Sequence, residues 1–172
     1  MNRCIATLLL TVLALSPISS SVPAEDVRRL SFFHTHTSEE LSVIYYSDGE
    51  YVASAFGELS HFLRDFRTGD ETETDPRVFD ILFDIQQSSG STGVYQIISA
   101  YRSPATNEML RSASGGVARN SQHLLGKAID IRLTDLDTAA LRDVALSLKR
   151  GGVGYYRESN FVHVDTGRVR RW

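Results

Sequence analysis

Cysteine is almost missing from this chain: Cys4 is the only one in 172 residues. A single thiol excludes an intrachain disulfide and a thiolate cage, so any metal ion has to be held by imidazoles and carboxylates. Cys4 also precedes the one apolar run, the wrong side for a lipid-modified cysteine. Runs of lysine and arginine are absent as well. With 18 Lys and Arg against 21 Asp and Glu, the net charge is -3, and no nucleic-acid partner is expected. Arg168, Arg170 and Arg171 do gather near the last residue, where three charges read as a solvated end.

The apolar run lies at the beginning. Arg3 is the only charge among residues 1–24, residues 5–15 are mainly apolar, and Ser and Pro residues lead to Val22-Pro23-Ala24. This order is that of a secretory signal peptide, with cleavage expected after Ala24. The run is shorter than the ~20 residues that cross a bilayer; an uncleaved anchor is the alternative. Export would leave residues 25–172 as a single domain in the periplasm, with no membrane anchor. A chain of that size buries roughly two-thirds of its unfolded surface and needs no staple. A monomer is expected.

Hydrophobic residues make up 42% of the chain and charged residues 23%, the proportions of a globular protein. No internal repeat or low-complexity linker interrupts it. Residues 29–53 alternate in character, and Leu41-Ser42-Val43-Ile44-Tyr45-Tyr46, Asp48-Gly49 and Tyr51-Val52 predict a β-hairpin closed by an Asp-Gly turn. Ser54 is the expected cap of a helix reaching about residue 67, with Phe56, Leu59, Phe62, Leu63 and Phe66 on its core face. Asp75-Pro76 starts a second helix to about residue 88, whose buried stripe is Val78, Phe79, Leu82, Phe83 and Ile85. Short β-like runs follow at 94–99, 127–133, 153–156 and 161–165, interrupted by a helical stretch near 138–150. The pattern predicts an α+β fold with helices packed on a small antiparallel sheet.

The chemistry concentrates in two segments. In Ser121-Gln122-His123-Leu124-Leu125-Gly126-Lys127-Ala128-Ile129-Asp130, strand alternation sends Asp130 to a polar face while Ile129, Ile131 and Leu133 enter the core. In Phe161-Val162-His163-Val164-Asp165 the same alternation puts His163 and Asp165 on one side. If the strands pair, two imidazoles and a carboxylate converge. Such a set suits Zn²⁺ with a fourth position open for water, the arrangement hydrolysis requires. On the pattern alone, satisfied polar residues are the commoner reading. Arg102, in Tyr101-Arg102-Ser103-Pro104 at the end of a strand, is placed to bind a substrate carboxylate or a developing oxyanion, or to form a structural ion pair.

Ser121-x-His123-x-x-Gly126-x-Ala128-x-Asp130, preceded by Tyr101-Arg102-Ser103 and followed by His163, resembles the signature of the zinc D-Ala-D-Ala metallopeptidase superfamily. The run Gly151-Gly152-Val153-Gly154-Tyr155-Tyr156, the segment from Ser159 to Gly167, the terminal Arg171-Trp172, His61-Phe62-Leu63-Arg64-Asp65 and Gly116-Val117-Ala118 resemble its MepK-like murein endopeptidases, over nearly all of residues 30–172. The resemblance implies a hedgehog/D-Ala-D-Ala peptidase-like fold and a periplasmic enzyme that cuts peptidoglycan cross-links between meso-diaminopimelate residues. It implies His123, Asp130 and His163 as zinc ligands, and Arg102 and Ser121 as substrate-binding residues. D,D-carboxypeptidase or D,D-endopeptidase activity on D-Ala bonds, and a zinc-stabilised module that binds peptidoglycan without cutting it, are the alternatives.

The dipeptidases of that superfamily carry a catalytic Glu three residues before the last His ligand, where this chain has Asn160; other relatives carry a His two residues before it, where this chain has Phe161. Asp165 is then the candidate proton acceptor, with support of a ligand imidazole as its other reading. Glu158 ranks lower because it falls in the connecting turn. His34 and His36 share a face but suggest a polar β-edge without a third ligand, and His61 reads as structural.

Overall fold

A computed structural model of the chain describes residues 26–172; the expected signal peptide lies outside the described residues. The hairpin forms as the sequence predicts. β2 (Glu40–Ser47) returns as β3 (Glu50–Tyr51) through Asp48 and Gly49, whose positive φ angles of 55° and 84° are those a tight hairpin turn demands. β1 (Arg28–His34) pairs antiparallel with β2 on one side and parallel with β4 (Tyr95–Ser99) on the other. His34 is therefore buried inside the sheet rather than lying on a polar edge.

The first helix is shorter than its apolar spacing suggests. α1 (Ala53–Phe62) begins after Val52, which caps it without a side-chain bond. It stops because Asp65 draws the chain into a turn: the Asp65 carboxylate accepts the Arg67 N–H at 3.0 Å and the Ser103 N–H at 2.9 Å. Phe66 thus leaves the helical stripe and stacks on His36, centroids 4.0 Å apart. α2 (Pro76–Ser89) starts as expected, with Asp75 accepting the Arg77 N–H and Pro76 in the first turn, and ends at Gly90 with φ 69°. It buries Val78, Phe79, Ile81, Leu82 and Ile85, each worth about 1.5–3 kcal/mol when fully withdrawn from water.

The remaining elements are α3 (Pro104–Ala113), β5 (Ala128–Leu133), α4 (Thr138–Leu148), β6 (Gly152–Tyr156), β7 (Phe161–Asp165) and β8 (Arg170–Arg171). The strands form one eight-stranded sheet in the order β3-β2-β1-β4-β5-β7-β6-β8. The class is α+β as expected; the sheet is longer than the visible alternation indicates, and its β1–β4 and β6–β8 junctions are parallel. Apolar side chains from one face of the sheet share a cluster with those of α1, α2 and α4, while α3 contributes none. The opposite face carries the polar residues.

One irregularity in β4 positions the site. Ile97 pairs with Ile131, but Ser99 pairs with Asp130, so the register slips across Ile98. Without the slip Ser99 would follow Tyr95 and Ile97 into the core; with it, Ser99 faces the polar side beside Asp130. The chain then leaves toward Arg102, and Ser103 caps α3 by accepting the Thr106 N–H.

Asp65 ties the end of α1 to this exit. Burial works to raise its pKa, but the hydrogen bonds it accepts prevail and hold it below the usual carboxylate value. Its contribution to stability is therefore present above the ordinary carboxylate pKa and is lost as pH falls through the depressed one. Asp65→Ala leaves the buried Ser103 N–H unpaired and is expected to lower the unfolding free energy by about 2 kcal/mol, read by urea denaturation at neutral pH. An unchanged midpoint would show that the Asp65 turn does not hold the Arg102 segment.

Candidate metal centre

His123 is delivered by a short 3₁₀ helix, Gln122–Leu125, capped by the Ser121 hydroxyl accepting the His123 N–H at 3.3 Å. Gly126 ends it with φ +63° and with no room for a Cβ against the Glu73 carbonyl, so the turn needs glycine on both counts. Its own carbonyl accepts the Asp75 N–H at 2.9 Å, bracing the turn against the start of α2. Asp130 and His163 come from regular strands, where they are direct partners across the antiparallel β5–β7 pair. Sheet pairing thus supplies two of the three groups, and the 3₁₀ turn supplies the third.

The three side chains are buried and aim at one point. His123 Nε2 lies 3.2 Å from Asp130 Oδ1 and 3.1 Å from His163 Nδ1, and His163 Nδ1 lies 2.9 Å from Asp130 Oδ1. Donors placed about 2.0–2.1 Å from a tetrahedral Zn²⁺ sit roughly 3.3 Å apart, close to the edges of this triangle. The tautomers follow from the outer partners. His123 Nδ1–H donates to the Ala100 carbonyl at 2.6 Å, and His163 Nε2–H donates to Asp165 Oδ2 at 2.9 Å. Both inward nitrogens therefore present lone pairs, facing a carboxylate oxygen. With both rings neutral, three acceptors this close are relieved by a shared cation, for which a proton between His163 and Asp130 is the competitor, so the residues present fit a metal ion.

The electrostatics agree. Burial would raise the Asp130 pKa, yet contact with His123 and His163 outweighs it and drives the group well below the carboxylate range. Burial dominates at His123 and lowers its pKa, whereas at His163 burial is outweighed by Asp130 and Asp165, which raise it.

Arg102 closes one side: Nη2 donates to Asp130 Oδ2 at 2.6 Å and Nε to Ser99 Oγ at 3.0 Å. With Arg102, Ser121 and the three converging groups, Tyr156, Phe161, Arg170 and Trp172 line a cavity of about 270 Å³. Asp165 is not among its walls. That carboxylate is wholly buried behind His163, where Oδ1 accepts from Gly152, Gly167 and Arg170 while Oδ2 accepts from His163 and Arg170. Burial alone would raise its pKa, but the His163 and Arg170 contacts hold it far below the carboxylate range. Asn160 faces a different hollow, accepting from the Thr138 hydroxyl at 2.7 Å, and Glu158 is exposed in the β6–β7 turn. Phe161 stacks on Tyr156 at 4.5 Å.

The family profile described as "Peptidoglycan L,D-endopeptidase MepK" matches residues 22–172. The chain belongs to this family. Among its relatives, the Peptidoglycan L,D-endopeptidase MepK of Escherichia coli K12 is 38% identical over 157 residues, 91% of this chain and 86% of that protein. The Probable peptidoglycan L,D-endopeptidase MepK of Haemophilus influenzae is 40% identical over 146 residues, 84% of this chain and 78% of that protein. No solved structure gives a significant match.

Within this MepK family member, His123, Asp130 and His163 are the only group of three such side chains, among the described residues, that could hold a metal ion. His34 Nδ1 accepts the His36 and Thr37 N–H groups, and His61 contacts Glu71 at 2.8 Å. Arg170 and Trp172 are what sequence reasoning missed. Arg170, read as part of a solvated end, instead makes a two-bond pair with the buried Asp165. The signal was the Gly152 and Gly154 pair on β6, whose missing side chains leave room for the Arg170 and Trp172 side chains.

A divalent cation is expected to raise the thermal midpoint of the metal-free protein at neutral pH. The gain shrinks as pH falls, because protons compete for the imidazoles and His163 takes one above the ordinary histidine value. Calorimetry across pH, with and without chelator, measures it; a midpoint indifferent to cation at every pH would refute the metal centre.

Proposed function

We propose that the protein is a zinc-dependent peptidoglycan endopeptidase, monomeric and acting outside the cytoplasm after removal of residues 1–24, which hydrolyses the cross-link between two meso-diaminopimelate residues. The observation that carries this reading is the buried triangle of three inward lone pairs, in a chain whose family is described by the L,D-endopeptidase activity. Two imidazoles and one carboxylate at near-tetrahedral spacing suit Zn²⁺. The ion would supply Lewis acidity to water and to the attacked carbonyl.

The chain's own residues supply position and charge. His123, Asp130 and His163 hold the ion, and Asp165 keeps the His163 lone pair turned inward by accepting the opposite N–H. In this reading Asp165 is a positioning residue rather than the proton acceptor, because each of its oxygens is already engaged. Asp130 is the only carboxylate lining the cavity among the described residues. Arg102 is anchored through Nε and Nη2, which leaves Nη1 without a partner among the described residues. A guanidinium so fixed binds a substrate carboxylate or the carbonyl oxygen as charge grows on it. The Ser121 hydroxyl accepts from the backbone and keeps its own proton to donate to substrate.

Purified protein incubated with muropeptides is expected to release products of cleavage between diaminopimelate residues, identified by mass spectrometry. Cleavage at D-Ala bonds, or no cleavage, would reject the specificity or the activity. His123→Ala is expected to lose both zinc and hydrolysis, and a zinc-free variant that retained full activity would sink the metal assignment. Arg102→Ala is expected to lower kcat/KM by about 10²–10³-fold with zinc content unchanged.

A further inference from the structure

Tyr156 brings an uncommitted hydrogen to the cavity over the metal ligands. Of the ionisable side chains in the cavity wall, His123, Asp130 and His163 converge on one point, and Arg102 and Arg170 are each paired with a buried aspartate. Tyr156 is the only other. Its hydroxyl oxygen accepts from Trp172 Nε1–H at 3.0 Å, and it makes no second bond among the described residues. An indole N–H can only donate, so the phenol hydrogen is turned away from Trp172 and stays free for another acceptor. The phenol and its partner are both restrained. Phe161 stacks on the Tyr156 ring, centroids 4.5 Å and planes 17° apart. Main-chain bonds from Trp172 N–H to Val153 and from Tyr155 N–H to Trp172 fix the last residue alongside β6, and the Arg170 guanidinium sits 4.8 Å from the indole ring centre. Beneath the indole is Gly154, where a Cβ would stand 2.6 Å from the ring. A hydroxyl oriented in advance by such contacts has little left to order when a ligand binds.

Strand order sets this donor opposite Arg102. In the run β4-β5-β7-β6, Asp130 and His163 stand on the two central strands, Arg102 follows β4, and Tyr156 ends β6. Gly154 pairs with His163 and Tyr156 with Phe161, so the phenol belongs to the face that carries the His163 ring. The indole links the two, its ring 5.2 Å from that of His163 and its N–H on the phenol oxygen. A scissile amide lying over the ligands therefore has a guanidinium on one flank and a phenol on the other. A cross-link carries a peptide stem on each side of that amide, and each stem offers oxygen acceptors.

We propose that the Tyr156 hydroxyl, turned into the cavity by Trp172, donates a hydrogen bond to an oxygen of the peptide stem on the β6 flank of the scissile bond. The proposal rests on the peptidase reading given above. It makes Tyr156 a substrate-binding residue and Trp172 a positioning residue that acts through it, both separate from the residues that hold the metal ion.

The test measures kcat and KM of the zinc-loaded protein on a soluble peptide dimer cross-linked through diaminopimelate. Tyr156→Phe keeps the stacked ring and removes only the hydroxyl. It is expected to raise KM about tenfold, with kcat within about threefold and zinc content unchanged. Trp172→Phe removes the N–H that orients the phenol; it is expected to raise KM about threefold alone and to add nothing in the Tyr156→Phe background. If Trp172→Phe disturbs the terminal strand, Gly154→Ala drives the indole off β6 with both side chains retained, and the same pair of results is expected. A wild-type KM in Tyr156→Phe, or a loss confined to kcat, would overturn the binding role of the hydroxyl. Additive effects of the two substitutions would overturn the positioning of the phenol by Trp172. If the wild-type protein leaves the dimer uncut, the peptidase reading falls and this assignment with it; if it cuts the dimer and Tyr156→Phe does so equally well, this assignment alone falls.

Discussion

Three lone pairs about 3 Å apart repel one another, and much of the surrounding structure serves to keep His123 Nε2, His163 Nδ1 and Asp130 Oδ1 in that arrangement. Each is restrained from behind. The Ala100 carbonyl fixes one imidazole, Asp165 fixes the other, and Arg102 holds the second oxygen of Asp130. These restraints come from distant parts of the chain. The Ala100 carbonyl and Arg102 follow the slipped residue in β4, and Asp165 owes its geometry to Gly152, Gly167 and Arg170. An arrangement unfavourable in isolation persists because the sheet, the 3₁₀ turn and the last strand oppose its relaxation together.

What could be read in advance was local. Asp75-Pro76 announced α2, and the alternation of residues 128–133 and 161–165 told which side chains would meet, because cap chemistry and pleat depend only on neighbours. The hairpin at Asp48-Gly49 was legible for the same reason. The end of α1 was not: Phe66 continues the apolar spacing, but Asp65 bonds to Ser103, 38 positions further on, and the turn it makes overrides helical periodicity. The burial of His34 was equally hidden, since it depends on β1 lying parallel to β4.

The site divides along the same line. His123, Asp130 and His163 were visible as a motif, whereas the burial of Asp165 by Arg170 was not, because a charged residue near the end of a chain looks solvated until its partner is known. Nor does alternation reveal that Ser99 departs from the face of Tyr95 and Ile97. A single extra residue in a strand leaves no mark on composition, yet it turns the strand end from the core toward Asp130.

The two imidazoles are backed differently, and this makes them unequal as donors. His123 leans on an uncharged carbonyl, while His163 leans on a carboxylate that is itself neutralised by Arg170. A carboxylate partner pushes electron density into the ring and increases its basicity. Were an ion held here, His163 would be the more strongly donating imidazole and His123 the weaker one.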